Sequence, residues 1–161
     1  MKTLVVYYSR TQITKKVAER IASELNADLE EIIDTKSRSG PLGYLISCYD
    51  ALRGKTTILK PIKNDPSNYD LVIVGTPVWA GTMSTPILTY LSENKDKFKN
   101  VSEVGFFSTA GSSSGSTIDN MAKTVDKYPV PFLTLNKIDI KEGYDEKLDA
   151  FIKHIKDNQG N

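Results

Sequence analysis

The sequence predicts an α/β protein: a three-layer, open, doubly wound sheet of five parallel strands with helices on both faces. Two observations predict it. Apolar runs of strand length alternate with stripes of helical period through all 161 residues, and such alternation builds parallel βαβ units with right-handed crossovers. Five strands are also too few for the eight-stranded (β/α) barrel, so the sheet stays open.

Leu4-Val5-Val6-Tyr7-Tyr8 is an apolar, β-branched and aromatic run of buried-strand type. Ile13, Val17, Ile21 and Leu25 then recur every four residues, the stripe of one helix. Asp28 to Ile33 reads as a short second strand whose charges place it nearer an edge. Leu42, Leu45, Ile46, Tyr49 and Leu52 form a second helical stripe, with Gly54 as its C-terminal cap. After a polar, proline-containing loop, Tyr69 to Gly75 carries the strongest strand signal, Leu71-Val72-Ile73-Val74. Ser84-Thr85-Pro86 supplies a capping hydroxyl and a first-turn proline for a helix lined by Ile87, Leu88 and Leu91. Val104 to Phe107 is the fourth strand, and Ile118, Met121, Ala122 and Val125 mark the next helix. The fifth strand lies within Val130 to Ile140, and Tyr144, Leu148, Phe151, Ile152 and Ile155 mark the last helix.

The bulk numbers fit one globular domain over residues 1–161, with 39% hydrophobic and 25% charged residues. A formal net charge of +1 gives no ground for a nucleic-acid or anionic-membrane binder. One cysteine and one histidine exclude an intramolecular disulfide and Cys- or His-built metal centres. The apolar run Leu4–Tyr8 is too short for a signal-peptide core. The longest uncharged stretch, Leu71 to Ser92, is broken by Gly75, Pro77, Gly81 and Pro86, which speaks against a membrane span. A cytoplasmic protein is expected.

In such a sheet, ligands bind beyond the carboxyl ends of the strands, where the strand order reverses. Three segments there share a hydroxyl-rich, small-residue composition. They are Ser9-Arg10-Thr11-Gln12-Ile13-Thr14, Thr76-Pro77-Val78-Trp79-Ala80-Gly81-Thr82, and Ser108-Thr109-Ala110-Gly111-Ser112-Ser113-Ser114-Gly115. Only Arg10 is charged. Ser9, Thr11 and Thr14 surround a helix N-terminus, whose free N–H groups and dipole favour an anion such as a phosphate monoester. Capping the helix is the plainer use, but one hydroxyl would suffice for that. Trp79 fits two uses, a lid over the core or a wall against a flat aromatic ligand. Gly111 and Gly115 sit in a loop suited to offering backbone donors to polar ring atoms.

Four further features have ordinary structural readings. Cys48 is a small, partly buried side chain beside the second stripe, and His154 lies on the polar side of the last helix. Lys95 to Lys99 is a solvated helix end, and Asp119 and Asn120 are placed to cap the helix that follows the third loop.

Together these residues resemble the flavodoxin family. Ser9-x-Thr11-x-x-Thr14 matches its phosphate-loop pattern. Thr76-Pro77-Val78-Trp79-Ala80-Gly81 is similar to the first isoalloxazine loop of its Thr-Pro-Val-Trp branch, and Tyr49-Asp50-Ala51-Leu52-Arg53-Gly54 also resembles that branch. The resemblance implies the strand order 2-1-3-4-5 and FMN as a non-covalently bound cofactor. It places Ser9 to Thr14 on the phosphate, Trp79 on or beside the ring, the Ala80-Gly81 peptide at flavin N5, and Thr109 to Ser112 at the pyrimidine end. The chain departs from the family at Gln12-Ile13, where many members have Gly-Asn, and the third loop lacks the tyrosine many members stack on the flavin. Tyr44 and Tyr49 are candidates to replace it. Acidic groups near the ring are also missing, so the potential for forming the anionic, fully reduced flavin is expected to be higher than in acidic members.

The resemblance implies an electron carrier that meets redox partner proteins transiently, as a monomer, with no catalytic side chain of its own. The alternatives are an FMN-dependent NAD(P)H:quinone-type oxidoreductase and an FMN-less interaction module. The intact hydroxyls of the first loop speak against the module.

Overall fold

The computed structural model describes residues 1–158, so the last three residues of the expected domain lie outside the described part. Five parallel strands form the sheet: β1 (Thr3–Tyr7), β2 (Asp28–Glu31), β3 (Leu71–Trp79), β5 (Glu103–Thr109) and β6 (Phe132–Leu135). Their spatial order is β2-β1-β3-β5-β6, the expected 2-1-3-4-5 once a short extra strand is set aside. That strand, β4 (Thr82–Met83), pairs antiparallel with the end of β3 and was not expected. Register is set in the middle of the sheet, where Val5 lies beside both Leu29 and Ile73, and Ile73 beside Gly105.

The pleat sends alternate residues to opposite faces, and each face has its own helical layer. Leu4, Val6, Val72, Val74 and Phe106 pack beneath α3 (Thr85–Glu93), α4 (Lys95–Phe98) and α5 (Thr117–Val125). Val5, Tyr7, Ile73 and Phe107 pack beneath α1 (Ile13–Leu25) and α7 (Asp145–Asn158). The stripes Val17–Ile21 and Leu148–Phe151–Ile152–Ile155 are buried as their spacing predicts. His154 is exposed, and Cys48 is partly buried against the core.

The second helix, α2 (Gly40–Leu52), forms where expected but turns the other way. Its buried residues are Gly43, Ser47, Asp50 and Ala51. The apolar stripe faces solvent instead: Leu42 is 70% exposed, Leu45 64% and Leu52 70%. The reason lies under the helix, where the Arg38 guanidinium is buried and paired with Asp34 (Nε–Oδ2 2.6 Å) and Asp50 (Nη1–Oδ2 3.1 Å). A β-carbon on Gly43 would lie 2.5 Å from the Arg38 carbonyl carbon, so only glycine fits beside that backbone. Gly54 (φ 60°) ends the helix as expected, donating to the Ala51 carbonyl at 3.0 Å.

Other expectations need correction. Ile13 is not inward-facing but 40% exposed, and Thr14 takes the buried position. The Ser84 hydroxyl does not cap α3; it lies 3.0 Å from Thr76 Oγ1, which also accepts from the Ser84 amide. Asn120 sits inside α5 and donates to Thr82 Oγ1 at 2.9 Å, fastening α5 to β4. Lys95–Phe98 is a short helix of its own that buries Phe98. A further helix, α6 (Lys137–Glu142), follows β6, capped by the reciprocal bonds of Asn136 and Asp139.

At the centre of the sheet, Gly75 leaves room for the ring of Phe107 on β5, whose Cζ would lie 1.9 Å from an added β-carbon. Gly75→Ala is therefore expected to lower stability by about 1–3 kcal/mol through overpacking, measured by urea unfolding. An unchanged midpoint would show that Phe107 relocates freely.

Candidate functional site

Because β1 lies between β2 and β3, the chain leaves the sheet in opposite directions after β1 and β3, and their loops part to leave a crevice. A cleft of about 370 Å³ opens there. The first loop contributes Arg10, Thr11, Ile13 and Thr14; the second contributes Pro77, Val78 and Trp79; the third contributes Thr109, Ala110 and Gly111. The three segments singled out by composition thus meet at one opening.

The first loop leads into an uncapped helix start. Gln12, at the N-terminus of α1, has left-handed backbone (φ 68°), and no side chain caps the helix. The first-turn N–H groups therefore lack the partner that a capping side chain would give. In the same loop, the Ser9 hydroxyl oxygen is buried with no hydrogen-bond partner among the described residues, as is that of Ser108 in the third loop. A buried hydroxyl without a partner costs about 1–3 kcal/mol, and an anion at the helix terminus would satisfy that of Ser9. Thr11 and Gln12 are exposed. Thr14 Oγ1 shares a 2.8 Å buried hydrogen bond with Thr109 Oγ1, in which either hydroxyl can be the donor, joining first loop to third.

The second loop is more structural than its composition implies. Thr76 is fully buried and engaged with Ser84. Trp79 is only 2% exposed. Tyr8 meets its ring edge-on at 5.6 Å, and the Arg38 guanidinium lies 5.4 Å from its ring centroid. Of the two uses open to Trp79, the lid over the core is the one its burial fits; only a margin of the residue reaches the cleft. Ala80 (φ 50°) and Gly81 (φ 74°) form the tight two-residue turn between β3 and β4. They line not the cleft but an adjoining depression of about 590 Å³ shared with Leu52, Leu88 and Lys123.

Gly115 likewise serves loop packing. With φ 53°, an added β-carbon would lie 2.3 Å from the Gly81 carbonyl oxygen, and the Ser116 amide donates to that oxygen at 2.9 Å. Ser112 faces a separate, smaller hollow beside Asn136 and Asp139. Ser9, Gln12, Thr76, Ala80, Gly81, Ser112 and Gly115 are therefore not among the lining residues of the cleft.

Three lining residues complete the cleft. Tyr44, from α2, stands at one edge with the Arg10 guanidinium 5.0 Å from its ring, a cation–π contact; it was already a candidate for the missing aromatic. Lys137 and Ile140, from α6, were not anticipated. The visible signal for them was Asn136-x-x-Asp139, a helix-start pattern too brief to carry an apolar stripe. The charged lining residues, Arg10 and Lys137, are both cations.

Behind Trp79 the ion pairs hold a defined protonation state. Burial pushes the Asp50 carboxyl up, but hydrogen bonds from Lys36 and Arg38 outweigh it and leave its pKa below the ordinary carboxylate value. Burial, reinforced by Asp34 against Arg38 and Arg10, pushes the Tyr8 phenol up, so it stays neutral.

No protein-family model matches the chain, and no curated protein matches it in sequence. Solved structures do. A flavoprotein from Lactobacillus acidophilus, solved in complex with FMN, is 28% identical, with 88% of this chain and 97% of that chain covered at a TM-score of 0.69. The two-electron reduced flavodoxin of Megasphaera elsdenii is 15% identical, with 94% and 96% covered at 0.62. A flavodoxin, WrbA-like protein of Agrobacterium tumefaciens is 18% identical, with 95% and 98% covered at 0.56. The latter two likenesses concern the fold.

Because the Asp50 pKa is lowered by folding, its carboxylate stabilises the fold above about pH 4 and loses that contribution as pH falls through the folded value. Asp50→Asn is expected to cost about 1–3 kcal/mol at neutral pH. It should also flatten the acid limb of the stability profile. Urea unfolding at neutral and acid pH checks both; parallel profiles for the two proteins would overturn the assignment.

Proposed function

We propose that this flavodoxin-like chain binds FMN non-covalently in the three-loop cleft and serves as an electron-transfer protein, a single cytoplasmic domain acting as a monomer. The observation that carries the reading is the uncapped start of α1 at the cleft edge formed by Arg10, Thr11, Ile13 and Thr14, preceded in the same loop by the buried, unpartnered Ser9 hydroxyl. That combination suits a phosphate monoester held by neutral donors, with Arg10 nearby. Pro77, Val78 and Thr109 to Gly111 would flank the flat ring system, and Tyr44 is placed to close over it. Bound FMN supplies the electron storage; the protein binds it, orients it and sets its electrostatic surroundings. The FMN in the Lactobacillus acidophilus flavoprotein supports the same reading.

The test is a titration with FMN, followed by the visible spectrum and by flavin emission. A perturbed spectrum with quenched emission is expected, and riboflavin, which lacks the phosphate, should bind more weakly. Ser9→Asp sets a carboxylate against the phosphate and should weaken FMN binding by at least about tenfold, or 1.4 kcal/mol. Riboflavin binding should change little in that variant. A spectrum unmoved by excess FMN would overturn the cofactor assignment. Quinone-dependent oxidation of NADPH by the loaded protein would move the assignment from carrier to reductase.

The cation-only charged lining has a consequence for redox tuning. Anionic reduced flavin is stabilised by positive neighbours, so Lys137→Glu should lower the potential of the step that forms it, while Lys137→Gln should lower it less. Potentiometric titration of the three proteins checks the order; equal potentials would show that Lys137 lies too far into solvent to act.

A further inference from the structure

The outward face of α2 is an apolar surface with a charged frame; the apolar side chains serve neither the fold nor the cleft, while Lys36 and Lys55 of the frame also pair with Asp50. Leu42, Leu45, Tyr49 and Leu52 project into solvent, with Ile58 beyond the helix end also exposed. Within residues 35–63 stand six Lys or Arg against one acid, Asp50, and with Arg38 buried five of the six are at the surface. That acid is buried beneath the helix and already paired. The rest of the chain holds fifteen Lys or Arg against nineteen acids, so the cations are concentrated here on an otherwise acidic molecule. The Tyr49 ring carries two of them: Lys55 Nζ lies 4.7 Å and the Arg53 guanidinium carbon 5.6 Å from its centroid.

This face is continuous with the functional edge at both ends. Tyr44, on the same helix, lines the cleft. Leu52, at the other end, walls the adjoining depression of about 590 Å³, where Lys123 is the one charged lining residue. Exposed apolar patches rimmed by charge mark interaction sites.

We infer that the outward face of α2, framed by Lys36, Arg53 and Lys55, is the docking surface for an acidic partner protein that presents an apolar patch to it. Charge selects the occupant. A second copy would bring two cationic frames together, which is repulsive. An anionic membrane would meet one helix of roughly 20 Å on a chain whose remaining surface is net acidic. An acidic protein matches frame and patch together. That a docked partner exchanges electrons rests on the carrier reading above; the surface itself does not require the cofactor.

The experiment is an amide NMR titration of the labelled full chain with two probes, the acidic copper protein plastocyanin and the basic haem protein cytochrome c. At low ionic strength, plastocyanin should shift the amides of Leu42 to Lys55 and cytochrome c should not, and the shifts should fade with added salt. Arg53→Glu combined with Lys55→Glu should weaken plastocyanin binding by at least about tenfold. Leu45→Ser combined with Leu52→Ser should weaken it at unchanged thermal stability and unchanged FMN spectrum, since neither side chain is buried in the core. Shifts with cytochrome c instead, no shifts at α2, or indifference to the leucine changes would overturn the inference. So would concentration-dependent dimerisation abolished by the leucine changes, or sedimentation with phosphatidylserine vesicles in preference to plastocyanin binding. If FMN fails to bind while α2 responds to plastocyanin, the cofactor reading falls and the docking surface stands; the reverse pattern sinks only the surface.

Discussion

The pairing of β1 with both β2 and β3 governs where everything else in this protein can happen. Val5 sits between Leu29 and Ile73, so the chain must wind one way from β1 to β2 and the other way from β3 onward. Right-handed crossovers then put α1 and α7 on one face and α3 and α5 on the other. At the carboxyl edge, the loops after β1 and β3 separate and the loop after β5 closes the gap. The cleft is thus a by-product of strand order, and side-chain chemistry only has to furnish it. Thr14 and Thr109, distant in sequence and 2.8 Å apart in space, show how firmly the fold fixes that furnishing.

A second constraint, the buried guanidinium of Arg38, explains the part of the molecule that breaks the expected pattern. Its partners Asp34 and Asp50, the Ser47 hydroxyl at 3.4 Å and the Trp79 ring fill the space below α2. Paired charges of this kind bring little net stability relative to apolar packing, yet losing one partner is costly. Their effect here is orientational. A helix laid over them must present small or polar residues inward, so its large apolar residues have only solvent to face.

Most of the fold was legible because its strands and four of its helices follow burial. β1 and β3 are covered on both faces and read as unbroken apolar runs, while α1 after Ile13, α3, α5 and α7 turn inward the apolar stripes their period marks. α2 carried two stripes. Leu42, Leu45, Tyr49 and Leu52 form one; Gly43, Ser47 and Ala51, spaced by four, form the other. Choosing between them requires knowing that Arg38 lies beneath, a long-range fact that no local period contains. β4 was illegible for a different reason. It is two residues long, and its turn places Ala80 in a left-handed conformation that alanine does not advertise.

The candidate site divides along the same line. Segments rich in hydroxyls and small residues were visible as loops, and their convergence followed from the topology. Which residues within them face the cleft was not visible, because neighbouring hydroxyls serve unlike ends: Ser9 is left without a partner, Thr14 ties two loops together, and Thr76 fastens β3 to α3. The contrast between them is itself informative. Thr14 and Thr76 make their hydrogen bonds internally and at short distance. Ser9 and Ser108 belong to the same composition and the same edge of the sheet, yet the oxygen of each is buried without such a bond among the described residues. A folded chain tolerates such a deficit most readily where something else completes it; for Ser9, in the loop that leads to the uncapped start of α1, the phosphate of the proposed cofactor would do so.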